Sequence, residues 1–548
     1  MAPVAVESRP VPIVALPVKT GLQTSTTNTT QNGKRDKKLP VTLLSGFLGS
    51  GKTTLLERIL TSSHGYRIGV IVNDMGALNI DAALLANHKV HQSEERVVEM
   101  QNGCICCTLR GDLLEEVARL AMEGNVDYLV IESSGISEPM QVAETFSDQF
   151  AEMHVQAGLD LELEMAADED SKMRNSNVAK VLKDGGLSQM SRLDCCVTMV
   201  DAVNFFNDYE TADFLVDRHG KDDVPEEDDR NVSDLQTDQI EFANTVIINK
   251  CDLVPSKEVE KIRALVKMLN PDARILTSIR SNVDVSSLLN TNLFDYEKAA
   301  MGAGWLKSLR EEVKPETEEY GIGSFVFRAR RPFHPERLWN TVKNNFVVIQ
   351  EEYIDDGVEG DDEMDEDGKE DKDGDSDVAM EIDDEKQPQL NPKLRLESKK
   401  ANPTFAPLLR SKGFFWLATR SNMFGEWSQA GVMLTLSGGD LWRCEMPESE
   451  WPDSEEIRKA IKADFQGKWG DRRQEIVLIG QEMQKGGQQR LQAALDACLL
   501  DDKEWAQWEK IMNNRKWDQK RKKEELEKIF EDGYEDWVLE DHTDHDHA

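Results

Sequence analysis

A chain of 548 residues with 103 acidic against 65 basic side chains, a formal net charge of −38, shows no basic face to neutralise phosphate backbones, which excludes a nucleic-acid partner. Its length suggests roughly two to four domains, and no apolar run approaches the ~20 residues needed to span a bilayer, so no membrane partner is expected. Eight cysteines without a signal-peptide pattern argue against a disulfide framework and for a reducing, cytoplasmic setting, with the nucleus also open.

Residues 1–38 are rich in Thr, Ser and Asn, hold four prolines and end Lys34-Arg-Asp-Lys-Lys38; a disordered arm is expected. An apolar strand, Val41-Thr-Leu-Leu44, then runs into Gly46-Phe-Leu-Gly49-Ser50-Gly51-Lys52-Thr53-Thr54. This is a full match to G-x-x-x-x-G-K-[ST] in the strand–loop–helix context that the motif requires. Its glycines let backbone N–H groups face a phosphate chain at the positive end of the following helix. Lys52 is expected to reach the β- and γ-phosphates and the Thr53 hydroxyl to ligate Mg²⁺. The chain is therefore read as binding a nucleoside triphosphate.

Ile68–Val72 forms the next buried strand and leads into Asn73-Asp74, Gly76 and Asp81, where either carboxylate could respond to the γ-phosphate and Mg²⁺ as a switch. Cys104-Ile-Cys106-Cys107 then places three thiols within four residues, ahead of a helix expected to start near Leu109. Thiolate-rich clusters suit Zn²⁺ or Cu⁺ and suit Mg²⁺ or Ca²⁺ poorly. No second ligand pair lies nearby to close a structural zinc finger, so the site could load and release metal. A further strand, Val126–Ile131, ends in Glu132-Ser-Ser-Gly135, where a P-loop protein carries its second metal-associated carboxylate. Glu132 is expected to hold Mg²⁺ through water or polarise the attacking water, and Gly135 to let the backbone approach the γ-phosphate.

Cys195 and Cys196, beside the apolar strand Val197–Val200, read as core, and Cys251, Cys444 and Cys498 as structural. The strand Thr245–Ile248 ends in Asn249-Lys250-Cys-Asp252 at the sheet end where open parallel sheets bind ligands. The Asp252 carboxylate can accept from N1–H and the exocyclic amine of guanine, and adenine offers no such pair. Asn249 is expected at the N7/O6 edge and the Lys250 stem over the ring, which makes the nucleotide GTP.

Taken together, Ser45–Leu56, Val72–Asp81, Glu99–Arg110, Ile131–Pro139 and Gln239–Asp252 resemble the CobW family of P-loop GTPases (CobW/HypB/UreG type). Glutamate in Glu132-Ser-Ser-Gly135 is a mark of that group, and Asn73-Asp74-Met75 resembles its zinc-responsive branch. The resemblance covers roughly residues 40–350 and 403–485. It implies GTP hydrolysis with Lys52, Thr53, Asp74, Asp81 and Glu132 as the catalytic set. It also implies that Cys104, Cys106 and Cys107 hold Zn²⁺ for delivery to client zinc metalloproteins. A GTPase serving cobalt or another metal in cofactor assembly, and a noncatalytic scaffold, are the alternatives.

The expected architecture is an α/β P-loop GTPase domain over 39–320, its mostly parallel sheet covered by helices on both faces, followed by a smaller α+β domain. That second domain, similar to the CobW C-terminal domain, is expected over 321–350 and 403–485, with strands near Ser324, Gly413, Gly431 and Gln474 and a helix opening at His334. His334 is read as a cap or surface group rather than a metal ligand. An acidic disordered insertion is expected over 351–402; its segment 355–386 has 18 acidic residues against 3 lysines. Asp371–Asp375 hints at an EF-hand loop, but Ser376 and Ile382 stand where glycine and glutamate are required. Residues 486–548 read as a helical extension with Trp505, Trp508, Ile511 and Met512 on one face. Its tail carries His542, His545 and His547 between aspartates, a weak zinc or nickel site.

Overall fold

The computed structural model describes residues 38–72, 89–92, 105–147, 180–181, 183, 185–215, 218, 231–296, 321–350, 391–451, 455–535 and 537; side chains at 89–92, 105–112, 115, 450, 455–457 and 460 are set aside. The expectations for the arm, for Asn73, Asp74, Asp81 and Cys104, for segment 355–386 and for the histidine tail lie outside these residues.

Short apolar runs buried from end to end favour a parallel sheet covered on both faces. The strands β2 (Ile68–Val72), β4 (Tyr128–Glu132) and β6 (Thr245–Asn249) are such runs, with every residue buried. With β1 (Leu39–Ser45), β3 (Lys89–Gln92), β5 (Ser191–Asp201) and β7 (Arg274–Thr277) they form a seven-stranded sheet in the order β3-β2-β4-β1-β5-β6-β7. All neighbours are parallel. Alternate side chains divide between the faces. Leu43, Leu129 and Ile131 pack against Leu114 and Val117 of helix α2 (Ile105–Glu123). Leu44, Tyr128 and Val130 pack against Leu55, Leu56 and Ile59 of α1 (Lys52–Thr61). Registers Leu44↔Glu132 and Asp201↔Asn249 bring the carboxyl ends of four strands to one edge. The helix expected near Leu109 begins at Ile105, so Cys106 and Cys107 belong to its first turn. Further along the chain come α3 (Pro139–Glu144), α4 (Phe205–Tyr209), α5 (Val232–Glu241) and α6 (Ser256–Leu269).

A second, mixed sheet takes the order β8-β13-β10-β11-β12-β9. Its strands are β8 (Ile322–Ala329), β9 (Val347–Gln350), β10 (Leu408–Phe415), β11 (Met423–Ala430), β12 (Met433–Leu441) and β13 (Gln474–Gln481). Strands β9 and β11 were not anticipated: β9 has four residues, and β11 is broken by Gly425 and Glu426. Alternation again divides the faces. Ile476 and Leu478 join Leu338 of α7 (Pro335–Val342) and Leu491 and Leu495 of α10 (Gly487–Asp496) in one core. Val477 and Ile479 face Ile262 and Leu265 of α6, so this sheet packs on the helix layer that covers the first.

Two further corrections concern the second half. The segment expected to be disordered to residue 402 contains α8 (Pro392–Ala401), capped by Asn391 accepting from the Leu394 N–H. Its Lys399 is buried and donates to the Leu408 carbonyl at 2.7 Å. The helical extension expected from 486, beyond the second domain, contributes to that domain's core: α10 lies in it, as does Tyr534. Trp508 of α11 (Asp502–Met512) is fully buried edge-on against Trp416 at 5.3 Å and donates to the Ala418 carbonyl. Residues 442–472 form a compact unit of their own, with α9 (Glu455–Asp464) and an Asp471 carboxylate accepting from the Arg443 and Cys444 N–H groups. No helix among the described residues is long and apolar enough to cross a membrane.

At the amino-terminal edge of the first sheet the Asp194 carboxylate is fully buried and accepts from the Tyr128 hydroxyl, the Thr291 and Asn292 N–H groups and Arg192. Burial alone would push its pKa up; these donors outweigh burial and hold it below the ordinary aspartate value. Asp194→Ala strands the buried donors and should cost about 3 kcal/mol, read as a lower urea midpoint by circular dichroism. A depressed folded-state pKa means this contribution is present above the unfolded value near 3.9 and is lost as pH falls below it. The gap between parent and variant should therefore close under strongly acidic conditions.

Candidate functional site

The site is built at the carboxyl edge of the first sheet. Residues 46–51 wrap from β1 into α1, with Gly51 as the α1 N-cap at φ 106°. A Cβ at Gly51 would lie 2.5 Å from Asn249 Nδ2, so both the backbone conformation and the space demand glycine. Lys52 is buried, and its Nζ donates to the Gly46 carbonyl at 2.8 Å, folding back across the loop that would cradle phosphates. Thr54 is exposed.

Thr53 and Glu132 meet. The Thr53 hydroxyl donates to Glu132 Oε1 at 3.0 Å, and Glu132 is buried at the end of β4. Two hard oxygen donors so placed, beside a phosphate-binding loop, fit Mg²⁺. Gly135 presses on the P-loop: a Cβ there would lie 2.5 Å from the Leu48 side chain and 2.9 Å from its backbone nitrogen.

The guanine end departs from expectation at Asn249. Its side chain does not lie open toward a base edge; its amide bonds within the protein. Nδ2 donates to the Ser50 carbonyl at 3.0 Å and to Ser281 Oγ at 3.1 Å. Oδ1 accepts from Ser278 Oγ and from the Ser281 N–H, both at 2.9 Å. Asn249 thus ties β6, the P-loop and the loop after β7 into one unit. Lys250 is left-handed at φ 61°, and its Nζ pairs with Asp201 Oδ2 at 2.8 Å. Arg280 and Ser281 are left-handed too, at φ 49° and 55°. Three non-glycine residues in this conformation around one edge mark a functional loop cluster. Asp252 is exposed beside them.

Sequence reasoning missed Asp201, Ser278 and Ser281. The signal for the serines was the hydroxyl run Thr277-Ser278-Ile279-Arg280-Ser281, directly after a strand. For Asp201 it was an aspartate ending a long apolar strand.

For the thiols the structure describes only the backbone of Cys106 and Cys107, in the first turn of α2. Among the described residues, no group of three or more His, Cys, Asp or Glu side chains is gathered for a metal ion. Burial raises the Cys195, Cys196, Cys251 and Cys498 thiols, and pushes Cys444 up to about 12, so these five stay protonated. His334 occupies the N-cap position of α7, as read, but without a side-chain cap bond, and it is buried rather than a surface group, edge-on to Phe530 at 5.3 Å. Burial, then Arg337, lowers its pKa, so the ring is neutral at pH 7.

Residues 40–166 and 173–277 match the CobW/HypB/UreG nucleotide-binding domain, and residues 388–499 match the cobalamin synthesis protein cobW C-terminal domain. The "Zinc-regulated GTPase metalloprotein activator 1" of Dictyostelium discoideum is 38% identical over 487 residues, 86% of this chain and 83% of that protein. The chain belongs to the CobW/HypB/UreG family. Bacterial relatives are more distant and match about half of the chain. The "Zinc chaperone CobW" of Pseudomonas aeruginosa is 30% identical over 46% of this chain and 60% of its own length. The "Zinc chaperone YjiA" of Escherichia coli is 28% identical over 47% and 64%. The C-terminal match starts at 388 and runs to 499, taking in α8 and α10, both placed outside that domain by the sequence reading.

Because Asn249 fastens the P-loop to two other segments, Asn249→Ala should weaken GTP and GDP alike, by about 10- to 100-fold, with the fold retained. Equilibrium titration with a fluorescent GDP analogue checks this; an unchanged affinity would refute the cross-tie.

Proposed function

We propose that this chain is a GTP-hydrolysing zinc metallochaperone, using GTP turnover to control transfer of Zn²⁺ from Cys104, Cys106 and Cys107 to client zinc metalloproteins. One observation carries the reading. Helix α2, whose first turn holds Cys106 and Cys107, leads by a short turn into β4, whose last residue, Glu132, bonds Thr53 of the P-loop; this chain order supports a link between thiols and nucleotide. Zinc-named relatives at 38% and 30% identity support the choice of metal.

The roles combine the motifs with the described contacts. Lys52 reaches the β- and γ-phosphate oxygens, Gly46–Thr54 supplies backbone donors, and Gly135 keeps the backbone close to the γ-phosphate. Asn249, Lys250 and Asp252 form the guanine end, with Asp252 selecting N1–H and the amine. Thr53 and Glu132 would hold Mg²⁺, which when bound would neutralise phosphate charge. Glu132 also orients the attacking water, and Asp74 and Asp81 report the γ-phosphate to the thiols. Zinc is cargo: thiolates bind it and release protons on loading, so loading weakens at low pH. Control by GTP requires different zinc affinities in the two nucleotide states, and the coupling in affinity is reciprocal.

GTP turnover by anaerobically purified protein, followed across a buffered free-zinc titration, tests the reading. Sub-nanomolar zinc should change the rate at least three-fold in the parent and leave a Cys104/Cys106/Cys107→Ser variant unmoved. A zinc-indifferent rate in both would overturn the chaperone assignment.

A further inference from the structure

Helix α5 touches the nucleotide site on one side and the second sheet on the other. Its Val232 and Leu235 pack with Phe47 of the P-loop and Ile136 of the segment after Gly135. Gln239, 1% exposed, donates from Nε2 to the Gly135 carbonyl at 3.1 Å and the Ser137 carbonyl at 3.2 Å. The Thr198 hydroxyl fixes the helix at the same level by donating to the Gln239 carbonyl at 2.7 Å.

On the far side, Arg410 of β10 is buried against this helix. Its Nε lies 3.3 Å from Glu241 and its Nη1 3.9 Å from Asp234, and Nη1 also donates to Ser428 Oγ at 3.0 Å. Beside it, Gly431 lets the two domains meet: a Cβ there would lie 2.4 Å from the Tyr209 carbonyl and 2.9 Å from Ser233 Oγ of α5. One helix therefore carries an ion pair from the second domain at one face and a hydrogen-bonded loop over the P-loop at another.

We propose that Gln239 is a positioning residue for GTP hydrolysis: it holds the Gly135–Ser137 loop against the P-loop from a helix whose setting Arg410 fixes. The inference rests on the GTPase part of the function above and not on zinc. Gly135 lies in contact with Leu48, so a loop freed of its two hydrogen bonds shifts where the γ-phosphate and attacking water must be held. GDP has no γ-phosphate and is insensitive to that shift. Chemistry and GDP affinity should therefore separate, which a general packing defect would not produce.

The test measures kcat, KM and GDP affinity in zinc-free buffer for full-length parent, Gln239→Glu, Gln239→Leu, Arg410→Met and Arg410→Lys. Glutamate has the same shape but cannot donate to the two carbonyls. Both Gln239 variants should lose ten-fold or more in kcat with GDP affinity within three-fold of the parent. Arg410→Met should lose kcat in the same manner, and Arg410→Lys, which keeps the charge, should recover part of it. Equal kcat in Gln239→Glu and parent would overturn the proposal, as would a GDP affinity that falls in step with kcat. If Gln239→Glu does not fold, the Arg410 pair decides: methionine and lysine variants with the parent's kcat would overturn it. A parent no faster than buffer would instead sink the GTPase reading itself.

Discussion

The amide of one buried side chain, Asn249, organises the nucleotide edge of this protein. Its carbonyl and amino groups reach two segments distant in sequence from β6, the P-loop at Ser50 and the loop after β7 at Ser278 and Ser281. A buried amide left unbonded costs more than a typical hydrogen bond returns, so the arrangement is all-or-none in character. That constraint accounts for Gly51, whose missing side chain makes room for Asn249 Nδ2. It also accounts for the left-handed turn at Ser281, which aims an N–H at Asn249 Oδ1.

The same logic extends outward through the sheet. Parallel register puts the ends of β1, β4, β5 and β6 level, so Thr53, Glu132, Asp201 and Lys250 converge without any loop having to travel far. The second sheet covers α5 and α6 on its inner face and carries α7 and α10 on the other. An apolar contact alone would allow sliding; the Arg410 pairs with Glu241 and Asp234 fix a register across it. Buried pairs of this kind add little net stability, and their effect is to specify one arrangement over its neighbours.

What could be read from sequence was local. The P-loop, Glu132-Ser-Ser-Gly135 and Asn249-Lys250-Cys-Asp252 are contiguous strings at strand ends, and apolar runs gave most of the parallel strands. What could not be read depends on partners far along the chain. Gln239 bonds residues about a hundred positions earlier, Arg410 pairs with a carboxylate 169 positions away, and Ser281 serves Asn249 across 32. Helix α8 was hidden by its highly charged neighbour sequence, although Asn391 and Pro392 mark a helix start. Helix α2 begins four residues ahead of Leu109, because the cysteine-rich string carries no cap or breaker that separates it from the helix it opens.

The P-loop as it stands also bears on how nucleotide state could be felt elsewhere. Lys52 already satisfies its ammonium on the Gly46 carbonyl, and Thr53 already satisfies its hydroxyl on Glu132. A buried lysine without such a partner would be strongly disfavoured as a cation, and the Gly46 carbonyl offsets that cost. The Lys52 ammonium has further N–H donors to offer phosphate oxygens while it keeps the Gly46 carbonyl, and the Thr53 hydroxyl is the contact that a metal would take over. The Thr53–Glu132 contact links α1 to the end of β4, and Gly135 follows Glu132 by three residues. Glu132, the Gly135 loop and one helix thus form a short, continuous set of contacts between the P-loop and Arg410.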